Sequence, residues 1–425
     1  MSEMTEKQRV YFVIDMKSFF ASVECAERGL DAMTTDLVVA DKERTEKTIC
    51  LAVSPSLKAK GVKNRCRLYE IPKNLEYIIA KPRMKKYIEY AGEIYAIYLK
   101  YIDKSDIHVY SIDECIIDAT DYLKIYNIRA KDFAKKLMNE IWENLHIPSS
   151  AGIGSNMYLA KIALDITAKH SKDRIGWLTE EKFIETLWHH KPITDFWGIS
   201  VGTRDRLAKF GIIDMAGIAN CSENLLYDEF GVNAEILIDH AYGRESCLMS
   251  DIKNYKSKSR SISNSQILPC NYPYEKAKIV AMEMIQEGCY RLASSHYSTN
   301  LMHIYLSFGD EFKIGAKGTV RMHETTNLYS IISKYAEDLF DKIYKDKTRQ
   351  VRKIAFDFDC LISEKSEQYD FFTDLNKVEK EKNLVFSVLS LKEKFGKNAV
   401  LKGLDLKEDA TQRERNKMVG GHNGW

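Results

Sequence analysis

The sequence predicts an α+β fold built from several domains. Short apolar runs alternate with amphipathic helical stripes over the first 168 residues and again from 253 to 361, while 169–245 reads as helix with Gly-punctuated turns. At about 150 residues per domain, a chain of 425 residues has room for roughly two to four such units.

The run Val10-Tyr11-Phe12-Val13-Ile14-Asp15 reads as a buried strand ending on a carboxylate. Phe19, Phe20, Val23 and Ala26 follow at helical spacing and stop before Gly29. Residues 37–40 and 48–53 read as two strands around the charged turn Asp41-Lys42-Glu43-Arg44. Ser54-Pro55-Ser56 opens a short helix that ends at Gly61, because Ser suits the N-cap and Pro the first turn. Tyr87, Ile88, Ala91, Ile94, Tyr95, Tyr98 and Leu99 lie on one helical stripe. Residues 107–118 place two β-rich arms around a polar centre, which is a hairpin pattern. An amphipathic helix at 133–145 precedes Ser150-Ala151-Gly152-Ile153-Gly154, a strand end feeding a helix at 156–168. Strand, helix, two strands, helix, strand is the order of a split βαβ, ferredoxin-like sheet. Past a basic linker at 251–260 the α+β pattern returns until Leu361, and the remainder reads as a charged, flexible tail.

Hydrophobic residues at 45% and aromatics at 11% supply sizeable cores and exclude wholesale disorder. With 63 Lys and Arg against 61 Asp and Glu, the net charge of +2 excludes a uniformly basic nucleic-acid coat but not charge segregated by domain. No run approaches the roughly 18 apolar residues of a membrane span. The polar start Met1-Ser2-Glu3-Met4-Thr5-Glu6-Lys7 does not read as a secretory leader, so a cytoplasmic protein is expected. Nine scattered cysteines without a Cys-x-x-Cys pair argue against a zinc ribbon or a disulfide framework.

Asp15, Asp113 and Glu114 each fall at a strand end of the predicted sheet. Adjacent acids at the turn of an apolar hairpin repel one another unless a cation neutralises them. A third acid on the neighbouring strand makes a cradle for two Mg²⁺ ions, hard cations that take oxygen ligands and hold substrate phosphates. Such a pair, about 3.5–4 Å apart, activates an attacking hydroxyl and stabilises leaving pyrophosphate.

Three blocks extend this reading. Asp15-Met16-Lys17-Ser18-Phe19-Phe20-Ala21-Ser22-Val23-Glu24 is the first, and Tyr110-Ser111-Ile112-Asp113-Glu114 the second. The third is Ala151-Gly152-Ile153-Gly154-Ser155-Asn156 with Leu159-Ala160-Lys161-Ile162-Ala163. In this order they resemble the signature blocks of Y-family translesion DNA polymerases, of the UmuC-like branch. The resemblance implies a right-hand polymerase, with palm at 1–18 and 78–168, fingers at 19–77, helical thumb at 169–245, little finger at 253–361 and a tail at 362–425. It implies a monomer that performs template-directed, low-fidelity synthesis across damage in an SOS-type response. Its substrates would be primer–template DNA and deoxynucleoside triphosphates, with damage-response accessory subunits as further partners. Residue by residue, it makes Asp15, Asp113 and Glu114 the metal ligands and gives Met16 a coordinating backbone carbonyl. Phe20, with Phe19 beside it, becomes the gate that excludes a ribose 2′-hydroxyl, and Lys161 a triphosphate contact. Two positions depart from the pattern. Lys17 stands where an acid is common, and Pro55 and Lys58 stand where many members have Tyr and Arg, so Lys58 offers a point charge without a guanidinium fork.

Phe196-Trp197-Gly198-Ile199-Ser200-Val201-Gly202 has the spacing of a helix-hairpin-helix turn, where Gly198 and Gly202 let backbone N–H groups approach a DNA phosphate. Residues 253–361 carry 17 Lys and Arg against 12 Asp and Glu, and Lys256, Lys258 and Arg260 alternate with hydroxyls suited to phosphate oxygens. Gln368-Tyr369-Asp370-Phe371-Phe372 is similar to the peptide by which bacterial polymerases dock to the sliding clamp; Gln368, Tyr369, Phe371 and Phe372 supply its polar head and aromatic plugs. A nucleotide cyclase would need neither the hairpin nor the basic second α+β region. A non-catalytic DNA-binding scaffold would not need its three acids intact.

Overall fold

The structure, a computed structural model, describes residues 9–43, 47–257, 259–309, 315–369, 371 and 373–424. The chain forms two compact units, 1–255 with 424–425, and 256–423.

The first unit opens with β1 (Tyr11–Met16), α1 (Phe19–Ala26), β2 (Leu37–Val39), β3 (Ala52–Val53), α2 (Pro55–Ala59), β4 (Ile78–Ala80) and α3 (Met84–Leu99). It continues with β5 (Ile107–Val109), β6 (Glu114–Asp118), α4 (Thr120–Ile125), α5 (Ala130–Leu145), β7 (Ser149–Gly154), α6 (Met157–Ile162) and β8 (Ile175–Leu178). The main sheet has the order β5-β6-β1-β7-β8, with β1 antiparallel to both neighbours. Its first four strands have the split βαβ arrangement expected from the element order. Tyr11, Phe12, Val13 and Ile14 are all buried, as a central strand requires. The inserted segment folds as a separate small sheet, β3-β2-β4, over a core that includes Val38, Val53 and Leu57. Ser54 caps α2 by accepting the Leu57 N–H at 3.4 Å, and Gly61 turns the chain away with φ +90°.

One expectation for 169–245 is corrected. Ile175–Leu178 is not helical but pairs in parallel with β7 as the fifth strand of the main sheet. Helices follow: α7 (Glu180–Leu187), α8 (Val201–Ala208), α9 (Met215–Ala219), α10 (Glu223–Phe230), α11 (Asn233–Ala241) and α12 (Met249–Asn254). They enclose Phe183, Phe196, Leu207, Ile218 and Leu226.

The second unit comprises β9 (Ile262–Tyr272), α13 (Tyr274–Ser294), β10 (Tyr297–Phe308), β11 (Ala316–Thr326), α14 (Tyr329–Ile343) and β12 (Val351–Asp359), in sheet order β11-β10-β12-β9. Alternation is plain on β12, where Ile354, Phe356 and Phe358 are buried and the residues between them are not. A second correction concerns the tail. Residues 362–423 belong to this unit, and α15 (Leu375–Phe395) and α16 (Gln412–Arg415) are regular helices. Lys382 on α15 bridges Glu364 at 2.9 Å and Glu367 at 2.6 Å, and buried Glu283 of α13 accepts the backbone N–H groups of Thr411 at 2.9 Å and Gln412 at 3.1 Å. These charged groups hold the segment down, which is why its charge reads as solvation when seen without partners. Among the described residues, no helix is long and apolar enough to cross a membrane.

Candidate active site

Strands β1 and β6, with the turn before β6, bring the three acids to one end of the sheet. Asp15 lies opposite Glu114 in the β1–β6 register, and the Met16 N–H donates to the Asp113 carbonyl at 3.0 Å. The turn between β5 and β6 is closed by the N–H groups of Tyr110 and Ser111, which donate to the Glu114 carbonyl at 3.0 and 3.1 Å. The Ser111 hydroxyl donates to Asp113 Oδ1 at 2.6 Å. Glu114 is 8% exposed.

Lys161 faces this set from α6. Its ammonium lies 2.8 Å from Glu114 Oε1 and 2.9 Å from Oε2, and 3.2 Å from Asp165. The contact at Oε1 is ionic but not aligned as a hydrogen bond, so that buried oxygen lacks a hydrogen-bond partner. Burial, then the charges of Asp113 and Glu114, push the Asp15 carboxyl up to about 8. Burial also holds Glu114 above the usual glutamate range, against the pull of Lys161. Lys161 pairs with Glu114, and Lys17 and Lys58 add positive charge near Asp15, yet the Asp15 carboxyl stays raised. Buried carboxylates that offer only oxygen donors fit a hard divalent cation.

Two glycines decide how close Lys161 comes. A Cβ on Gly152 would lie 2.0 Å from the Ala160 carbonyl oxygen, and one on Gly154 would lie 2.2 Å from the Ala160 nitrogen. Helix α6 therefore rests directly on the backbone of β7, with no room for a side chain between them.

The impB/mucB/samB family model matches residues 14–165, and that family's C-terminal domain matches residues 259–371. The chain belongs to the Y-family DNA polymerases. Its relatives include a Bacillus subtilis (strain 168) protein, UvrX, described by name as a UV-damage repair protein; identity is 29% over 96% of both chains. "DNA polymerase IV 2" of the same strain is 29% identical over 98% of this chain and 99% of its own. A solved Y-family DNA polymerase chimera, Dbh-Dpo4(243-245)-Dbh, has the same fold at TM-score 0.65 and 22% identity, over 83% of this chain and 99% of its own.

In this Y-family chain the two neighbouring phenylalanines separate by environment. Phe19 is buried in the core, whereas Phe20 is half-buried and stacks on Tyr87, with centroids 4.7 Å apart. Lys58 donates to the Ser18 hydroxyl at 2.8 Å, close to the start of α1. Burial, with Arg174 nearby, holds Lys17 below the lysine range, and Asp15 opposes this, so a cation and not a fourth acid stands beside Asp15. Gly198 has φ +89°, and no atom lies within 4 Å of where its Cβ would be; at Gly202 the nearest is Ser200 Oγ at 3.7 Å. Lys256 and Arg260 lie in the exposed lead-in before β9, not on the edge strand itself, and Lys258 lies outside the described residues. Gln368, Tyr369 and Phe371 are exposed, while Asp370 and Phe372 lie outside the described residues. In the second unit His303, Asp357 and Asp359 bring potential ligand atoms within 4.8 Å of one another, a set that does not include Asp15, Asp113 or Glu114.

The sequence reading passed over one bolt beneath the site. Glu24 of α1 is fully buried and accepts from Arg83 at 2.9 and 3.0 Å, from the Tyr87 hydroxyl at 2.8 Å and from Arg28. Burial opposes the Glu24 charge, yet these donors hold its carboxyl below the glutamate range. Its contribution is therefore present above the unfolded-state pKa and lost as pH falls through the folded one. Glu24→Gln is expected to cost about 2 kcal/mol near neutral pH, read from the urea midpoint at unchanged m, and progressively less in acid. A cost that does not shrink in acid would remove the charge from the argument.

Proposed function

We propose that this chain extends DNA primers across damaged template bases, using the palm acids to hold two Mg²⁺ ions. The observation that carries this is the placement of Asp15, Asp113 and Glu114 at one sheet end, with Lys161 paired to Glu114 and the Asp15 carboxyl raised by burial and by its acidic neighbours. The ions would lie against these carboxylates and the Met16 carbonyl, and when bound they supply charge stabilisation to the attacking 3′-hydroxyl and the leaving pyrophosphate. Lys161 and Lys58 provide cationic contacts for the triphosphate, Lys161 leaving Glu114 as it does so. The backbone at Gly198 and Gly202 and the bases Lys256, Lys258 and Arg260 hold DNA by its phosphates, without regard to sequence. A cytoplasmic role in SOS-type damage tolerance, with accessory subunits, suits the UV-repair name of its relative UvrX. Primer extension with Mg²⁺ on undamaged and lesion-bearing templates tests the reading; well-folded protein that extends neither would overturn it.

Phe20 is the residue we assign to the 2′-position, because it is half-buried where Phe19 is core. Phe20→Ala is expected to lower discrimination between deoxyribo- and ribonucleotides roughly 10–100-fold. Loss of the Tyr87 stack would cost about 1 kcal/mol of stability. Competing incorporation of the two nucleotides measures it, and an unchanged ratio moves the gate elsewhere.

The exposed residues Gln368, Tyr369 and Phe371, with Phe372, are assigned to a sliding clamp. Such a short peptide binds at about micromolar Kd, near −8 kcal/mol. Replacing Phe371 and Phe372 by Ala is expected to spare extension of a bare primer and to abolish stimulation by loaded clamp. Equal stimulation of variant and wild type would place docking elsewhere.

A further inference from the structure

Tyr110 begins the turn that carries Asp113 and Glu114, and it is 44% exposed. The Trp197 indole N–H donates to its hydroxyl at 3.1 Å, with the rings edge-on at 6.1 Å. Trp197 directly precedes Gly198 of the hairpin, so this contact joins the hairpin to the acid-bearing turn. A second route closes the circuit. Trp197 stacks against His240 at 6.2 Å, His240 stacks on Tyr158 at 3.8 Å, and Tyr158 lies one turn before Lys161 on α6.

An indole nitrogen can only donate, whereas a phenol oxygen both accepts and donates. Trp197 thus fixes Tyr110 as acceptor in this bond and leaves the phenolic proton free for another oxygen. The Lys161 ammonium lies 5.8 Å from the Tyr110 ring centroid, which ties the ring to the same lysine that holds Glu114. A solvent-exposed neutral hydrogen bond adds little to stability, so the fold alone does not account for this arrangement. An oriented donor between the hairpin and the acids suits an anionic oxygen of a strand held there.

We propose that the Tyr110 hydroxyl, oriented by Trp197, donates to an oxygen of the primer strand's last phosphodiesters and so positions the primer end beside Asp113 and Glu114. Tyr110 is then a substrate contact and Trp197 a positioning residue. The proposal rests on the polymerase reading above.

The test is single-turnover extension by the full chain with Mg²⁺, comparing wild type, Tyr110→Phe, Trp197→Phe and the double variant. Tyr110→Phe is expected to lower the maximal rate about tenfold, with half-saturation by nucleotide within about twofold and the urea midpoint unchanged. Trp197→Phe should cost less, and should add nothing once Tyr110 is replaced. Methylphosphonate at each of the last three primer linkages in turn should slow wild type at one position, where Tyr110→Phe is insensitive. Multiplying effects of the two substitutions, an unaltered rate, or equal methylphosphonate sensitivity would each overturn the proposal. Wild type that extends no primer would instead overturn the polymerase reading, which separates the two failures.

Discussion

Asp113→Ala and Glu114→Ala are each expected to lower the maximal extension rate by roughly 10³-fold or more, while primer–template affinity stays within about twofold. On the proposed reading, several kcal/mol of transition-state stabilisation would depend on cations held by these carboxylates, and each 1.4 kcal/mol is about tenfold in rate. The groups proposed to hold DNA lie elsewhere, so the loss is expected in the rate and not in binding. Glu114→Gln separates two roles, because it keeps an acceptor for Lys161 but removes the charge. If Glu114→Gln is as inactive as Glu114→Ala, cation binding is the essential role. Either alanine variant retaining a tenth of wild-type rate would remove that residue from the ligand set.

Gly152→Ala is expected to destabilise the first unit by about 3–5 kcal/mol and to abolish extension with it. The added Cβ would meet the Ala160 carbonyl oxygen at 2.0 Å and the Leu164 nitrogen at 2.3 Å. Both are backbone atoms, Ala160 in α6 and Leu164 in the helical turn that follows it, so no side-chain rotation relieves the clash and the helix has to lift off β7. Lys161 would leave Glu114 with it. Gly29→Ala is the contrast: its φ of +66° makes alanine unfavourable, but no atom lies within 4 Å of the new Cβ. Urea unfolding of the two variants should therefore differ severalfold in cost; equal costs would mean that close packing of α6 on β7 is not what Gly152 serves.

Much of the palm was legible because its signals are local. An apolar run ending on Asp15, and two β-rich arms around Asp113 and Glu114, state strand, turn and acid within a few residues. The same holds for the Ser54 cap and the Gly61 stop of α2. The strand at Ile175–Leu178 was not legible, since four residues containing a glycine carry little β signal and only pairing with β7 makes them a strand. The tail escaped for a related reason. The half-buried stripe of α15 runs Val378, Glu381, Lys382, Val385, Val388, Leu389 and Lys392, three of the seven charged, and its direction is set by Glu364 and Glu367 across from Lys382.

By itself, then, the sequence determined which acids stand at strand ends, the ferredoxin-like order of the palm and the blocks that resemble the Y-family. These are properties of neighbours in the chain, where periodicity and capping act. Tertiary structure alone decided that Phe20 and not Phe19 is half-exposed, that Lys161 spans 47 residues to reach Glu114, and that Trp197 lies on Tyr110, 87 residues away. Those outcomes depend on how closely α6 can approach β7 and on which face each aromatic ring is left to show. Close approach and solvent exposure are settled only when distant segments pack, because a side chain's neighbours in space, not in sequence, determine its dielectric and its partners.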